Sequence, residues 1–187
     1  AGARAPVHVA RPERGPPASP KEEGEPAPDH GAREPPAGRP VSGVALLDVN
    51  VLVALFDPDH VHHEAAHAWF APNRSGGWAT CPLTENGVVR VLSNPAYGAE
   101  PERPVALLAR LRTFCASGGH VFWPDDVTLR SARTLRAGAA LSHATLTDVY
   151  LLALAVAHGG RLATFDRRIP VAAVAGAAKA HLELIPA

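Results

Sequence analysis

The stretch VALLDVNVLVALFDPD, residues 44 to 59, decides how this chain is read. VALLD is a short apolar run of strand type that ends on an acid. NVLVALF then permits helical spacing, and Asp57-Pro58-Asp59 makes a turn. Strand, acid, helix and turn form a β–α unit, and the remaining question is whether the chain repeats it.

It does. A helix is expected from about His60 to Ala71, with Val61, Ala65, Ala68 and Trp69 on its apolar stripe. GWATC (77–81) reads as a second strand, and LTENGVVRVL (83–92) as a helix opened by Thr84. Pro101 to Ser117 carries a stripe of Leu107, Leu108, Leu111, Phe114 and Cys115 and stops at Gly118-Gly119, after which HVFW (120–123) is a third strand. A further helix is expected over residues 125–140. LTDVYLLALAVAHGG, from Leu146, is apolar nearly all round, as a buried helix is. RLATFD (161–166) and HLELIP (181–186) bring the strands to about five. The fold class is therefore α/β, a central, largely parallel sheet flanked by helices.

Of the 187 residues, the first 40 differ in kind: they hold 10 of the 19 prolines and almost no large apolar side chains. Such a segment cannot bury a core, so residues 1–40 are expected to be a disordered tail and residues 41–187 one domain. No apolar stretch approaches the roughly 20 residues of a membrane span, and no signal-like run opens the chain, so a cytoplasmic protein without membrane association is expected. Cys81 and Cys115 are expected to stay reduced, and two thiols at that spacing make no zinc framework. The 18 basic residues balance the 18 acidic ones. Bulk charge thus gives no drive toward nucleic acid, and any such binding must come from a local site.

Four acids stand out because of where they fall. Asp48 ends the first strand, Glu85 lies in the first turn of the helix after the second, Asp148 opens the most apolar helix, and Asp166 follows the fourth strand. Capping of helix N-termini explains any one of them. Together they would gather at one edge of a parallel sheet, where two carboxylates at roughly 4 Å would repel by about 4 kcal/mol at an effective dielectric of 20. A hard divalent cation, Mg²⁺ or Mn²⁺, relieves that repulsion and suits oxygen donors. Such an ion can activate water against a phosphodiester.

The blocks LLDVNVLVALFDPDH, TENGVVRVL followed by SNP, and LTDVYLLALAVAHGGRLATFDRRI resemble the PIN-domain nucleases, above all the VapC-type ribonuclease toxins of bacterial toxin–antitoxin pairs. The resemblance covers residues 44 to 186. It implies a PIN-like fold and metal-dependent cleavage of structured RNA, transfer or ribosomal. Asp48 and Asp148 would be the principal metal ligands, and Glu85 and Asp166 would complete the catalytic acidic pocket. Asn50 and Thr164 would support the acids by hydrogen bonds. Arg90, Arg167 and Arg168 are candidates for holding a substrate phosphate, against the plain alternative of solvated surface arginines. A cognate antitoxin and a homodimer are the partners it implies.

Two other readings compete. His63-Glu64-Ala65-Ala66-His67 spells the H-E-x-x-H of zinc hydrolases, but positions 70 and 73 are Phe70 and Asn73, where a further Gly and His ligand would be needed. With the apolar stripe centred near Val61, both histidines are expected to face water. The other reading is a non-catalytic binding module on the same fold.

Overall fold

Strand β1 (Ala45–Leu47) is the centre of the molecule, every residue of it buried. A computed structural model describes residues 43–98, 101–139 and 141–187; the expected tail, residues 1–40, lies outside the described residues. On one side β1 pairs with β2 (Trp78–Thr80), which pairs with β3 (His120–Phe122). On the other it pairs with β4 (Arg161–Thr164), which pairs with β5 (Leu182–Leu184). All pairs are parallel, giving the five-stranded order β3-β2-β1-β4-β5. The chain moves outward from β1 to one edge, then returns to fill the other. The switch point between β1 and β4 is where an open parallel sheet forms a crevice beyond its strand ends.

The period of two along each strand splits the core. Ala45, Leu47, Trp78 and Ala163 face a layer that includes α1 (Val49–Phe56), α2 (His63–Asn73), α3 (Pro82–Leu92) and α4 (Pro104–Cys115). Leu46, Ala79 and Leu162 face α5 (Leu146–Ala157). With both faces covered, the central strand β1 is apolar throughout, and its neighbours β2 and β4 carry polar residues only at their ends, Thr80, Arg161 and Thr164. Helix α5 packs against the sheet with Val149 and every residue from Leu151 to Ala157 buried, in accord with its all-round apolar sequence.

Helix α2 departs from expectation. Its turn of entry runs to His62, and its buried residues are Ala66 and Phe70, while Val61 is 85% exposed. The buried line is thus Ala66 and Phe70, which leaves His63 half-buried at its edge and His67 exposed, as expected for the latter. His63 Nδ1 lies 2.8 Å from the Ala54 carbonyl and His67 Nε2 3.1 Å from that of Leu55. These are last-turn carbonyls of α1, which lack partners within their own helix. A carbonyl only accepts, so His63 Nδ1 and His67 Nε2 carry protons, and the two rings cap the end of α1.

Residues 125–139 form no helix. Leu135 bridges antiparallel to Val174, with Arg136 N donating to Ala173 O at 2.9 Å and Ala175 N to Thr134 O at 3.0 Å. The segment spends its backbone groups on a distant loop, so that Val127 and Leu135 cover the α5 core.

Close approach of α3 to α1 depends on Gly87, where a Cβ would lie 2.5 Å from Val49 Cγ2. Replacing Gly87 by Ala is expected to lower the unfolding free energy by about 1–3 kcal/mol through overpacking. Gly98→Ala, which meets nothing within 4 Å, serves as the control in urea titrations. Equal midpoints for the two variants would contradict this packing.

Candidate active site

β1 and β4 run in register, Leu47 beside Ala163, so the next residues, Asp48 and Thr164, leave the sheet side by side. Asp48 is only 3% exposed. Its Oδ2 accepts from Thr164 Oγ1 at 2.6 Å and from Asn50 Nδ2 at 2.8 Å. Thr164 Oγ1 in turn accepts from Asn50 Nδ2 and from the Asp166 amide, both at 3.0 Å. One hydroxyl therefore uses its proton and both lone pairs to knit Asp48, Asn50 and Asp166 together. Asp48 stands at the N-cap of α1 yet makes no side-chain capping bond, so capping does not account for it.

Burial raises the Asp48 pKa from 3.8 to about 6, against the lowering effect of the Thr164 bond, and the charges of Asp148 and Asp166 push it the same way. Asp148, in the first turn of α5, is also raised, by burial and then by Asp166. Asp166 is lowered, chiefly by Arg168, which grips both carboxylate oxygens through Nε (3.0 Å) and Nη2 (2.8 Å). The three acids thus share one electrostatic neighbourhood.

Asp48 and Asp148 line a pocket of about 520 Å³, together with His60, Asn86, Arg90 and Tyr97. A wider depression of about 720 Å³ shares His60 and Tyr97 with it. Glu85 is not brought here. Its Oε1 accepts from Thr80 Oγ1 at 2.6 Å, and its neighbours are His120 and Cys115. Residues 86 and 90 lie one turn apart on a helix, whereas 85 is rotated about 100° away, so α3 cannot aim Glu85 and Arg90 into one pocket. Arg90 was expected from the sequence; Asn86, at i, i+4 spacing from it on the same face, was not. Arg167 is exposed, and Arg168 is committed to Asp166.

A family profile described as the PIN domain matches residues 45–175. The chain belongs to the PIN-domain family. Ribonuclease VapC39 of Mycobacterium tuberculosis is 47% identical to it over 132 residues, 71% of this chain and 95% of that protein. Ribonuclease VapC44 of the same organism is 46% identical over 140 residues, 74% of this chain and 96% of that protein. Ribonuclease VapC38, also from that organism, is 44% identical over 128 residues. This PIN domain is of the VapC ribonuclease type, and its five parallel strands and flanking helices carry the fold expected of it.

The acids of this PIN domain suit a hard cation. They offer only oxygen donors, and burial, with the nearby charges of Asp148 and Asp166, disfavours the ionised form of Asp48. Among the described residues the trio of potential ligands whose donor atoms lie within 4.8 Å of one another is elsewhere, at Glu85, Cys115 and His120. The acidic set is more open, which fits an ion that retains water while taking one or two carboxylates. No helix among the described residues is long and apolar enough to cross a membrane.

The raised pKa of Asp48 has a signed consequence for the metal-free protein. The folded state holds the proton more tightly than the unfolded chain, so this stabilisation is complete below about pH 4 and is lost as pH rises through about 6. At 1.36 kcal/mol per pKa unit, ionised Asp48 disfavours folding by on the order of 3 kcal/mol. Urea unfolding in a chelator should therefore show Asp48→Asn gaining about that much relative to wild type between pH 4 and pH 8. A difference between the two proteins that is independent of pH would refute the assignment.

Proposed function

We propose that this PIN domain is a Mg²⁺- or Mn²⁺-dependent endoribonuclease, the toxin of a toxin–antitoxin pair. It acts in the cytoplasm, as a homodimer, on structured RNA of the transfer or ribosomal kind, and a cognate antitoxin restrains it. The observation that carries the reading is Asp48, a buried carboxylate with a pKa raised to about 6, facing Asp148 and Asp166 at the switch-point pocket that Arg90 lines. A protein seldom retains such an uncompensated charge without a ligand for it. The named activity of the VapC relatives supports the same reading.

In this reading Asp48 and Asp148 hold the ion, which when bound supplies a Lewis acid that lowers the pKa of a water and neutralises the departing oxygen. Thr164 and Asn50 fix the orientation of the Asp48 carboxylate. Asp166, kept ionised by Arg168, would position the attacking water by accepting a hydrogen bond from it. Arg90 binds the phosphate that flanks the scissile bond, with Asn86 beside it as a hydrogen-bond donor. Glu85 has no part here, its carboxylate being held by Thr80. Arg168 acts as a clamp on Asp166, not as a phosphate ligand.

Cleavage of a labelled structured RNA should require Mg²⁺ or Mn²⁺, stop on chelation and resume on adding either ion back. Asp48→Asn and Asp148→Asn are each expected to lower kcat by at least ~100-fold. Full activity in both variants would overturn the carboxylate mechanism, whereas a wild-type protein that cleaves no RNA with either ion would favour the non-catalytic binding module. Arg90→Ala removes a charge-assisted bond of about 1.5–3 kcal/mol, so kcat/KM should fall by roughly 10- to 100-fold. An unchanged kcat/KM in that variant would remove Arg90 from the phosphate site.

A further inference from the structure

A second polar nest lies over β2 and β3, on the face of the sheet that Trp78 shares with α1 to α4. Glu85 reaches it from α3, Cys115 from the last residue of α4 and His120 from the first of β3. A carboxylate oxygen, the Cys115 Sγ and a ring nitrogen of His120 all lie within 4.8 Å of one another. Their common partner is the buried Thr80 hydroxyl, which donates to Glu85 Oε1 at 2.6 Å and therefore accepts from His120 Nε2 at 2.7 Å. Packing holds the frame, with the Trp78 ring 4.6 Å from His120 and 4.5 Å from Phe114, the neighbour of Cys115.

We infer that Glu85, Cys115 and His120 form a binding site for a zinc-class transition-metal ion, separate from the acidic pocket. The donors decide the class. A thiolate, an imidazole and a carboxylate make a mixed soft and borderline set that suits Zn²⁺, with its tetrahedral preference and tolerance of three protein ligands plus water. Mg²⁺ would bind such a set poorly, since it demands oxygen. All three residues are partly exposed, so the fourth position opens to solvent. To bind, His120 moves its proton to Nδ1, freeing the Nε2 lone pair, and the Thr80 hydroxyl gives way to the ion as the common partner of all three groups. The bound ion ties the first turns of α3 to the end of α4 and to the edge strand β3, while Asn86 and Arg90 on the other side of α3 still face the acidic pocket.

The test is a Zn²⁺ titration of the metal-free full-length protein against a chromophoric chelator, in saturating Mg²⁺ so that the acidic pocket does not compete. One equivalent of Zn²⁺ should bind. Cys115→Ser and His120→Gln should each weaken it by roughly a hundredfold, whereas His63→Ala should leave it intact. Replacing zinc with Co²⁺ should produce a thiolate-to-cobalt charge-transfer band in the wild-type protein that Cys115→Ser lacks. Zinc affinity unaltered in both ligand variants, affinity lost in His63→Ala, or a cobalt complex of the wild type without the thiolate band would each overturn the inference. The last readout needs no variant, so it stands even if a substitution unfolds the chain. None of these outcomes bears on the acidic pocket, whose test is RNA cleavage.

Discussion

The hydrogen bond from Thr164 to Asp48 spans 2.6 Å between the ends of β4 and β1, and the site is built around it. Asp48 sits at 3% exposure where the two halves of the apolar core meet. A carboxylate there without partners would be strongly destabilising. Bonds to a charged group contribute about 1.5–3 kcal/mol each, and Asp48 receives one from Thr164 and one from Asn50. The residual penalty is visible in its raised pKa. A cation in the pocket would relieve that residual cost.

The strand-end threonines act in parallel. Thr164 ends β4 and serves Asp48; Thr80 ends β2 and serves Glu85. Each is buried, and each brings residues from separate elements to one hydroxyl. Helix α3 runs between the two nests and divides its side chains among them, because successive residues on a helix diverge by about 100°. Its tight seating on α1 through Gly87 sets which face looks where. Among the described residues no fully buried side-chain nitrogen or oxygen lacks a hydrogen-bond partner.

The histidines of α2 answer a different structural need. Helix α1 ends at Phe56, leaving terminal carbonyls without intrahelical partners. His63 and His67 satisfy two of them while their rings sit 4.4 Å apart. A spacing that matches a metal motif here performs helix capping from a neighbouring helix. The pattern alone could not distinguish the two, since both need histidines one turn apart.

By itself the sequence determined the β–α alternation, all five strands, the buried character of α5 and the gathering of Asp48, Asp148 and Asp166 at one sheet edge. These follow from local rules: apolar periodicity gives the elements, and a parallel sheet brings every strand end to one edge. Asn50 and Thr164 were placed beside the acids only by resemblance to the PIN-domain nucleases. What tertiary structure decided was direction and partnership. It turned Glu85 toward Thr80, brought Asn86 and Arg90 to the pocket, committed Arg168 to Asp166 and rotated α2 onto Ala66 and Phe70. It also drew residues 125–139 out of helix and onto the 173–175 loop. The reason is geometric. Periodicity says which residues share a face of an element, but the angle at which that element packs, and which distant group meets each polar tip, are set only when the whole core closes.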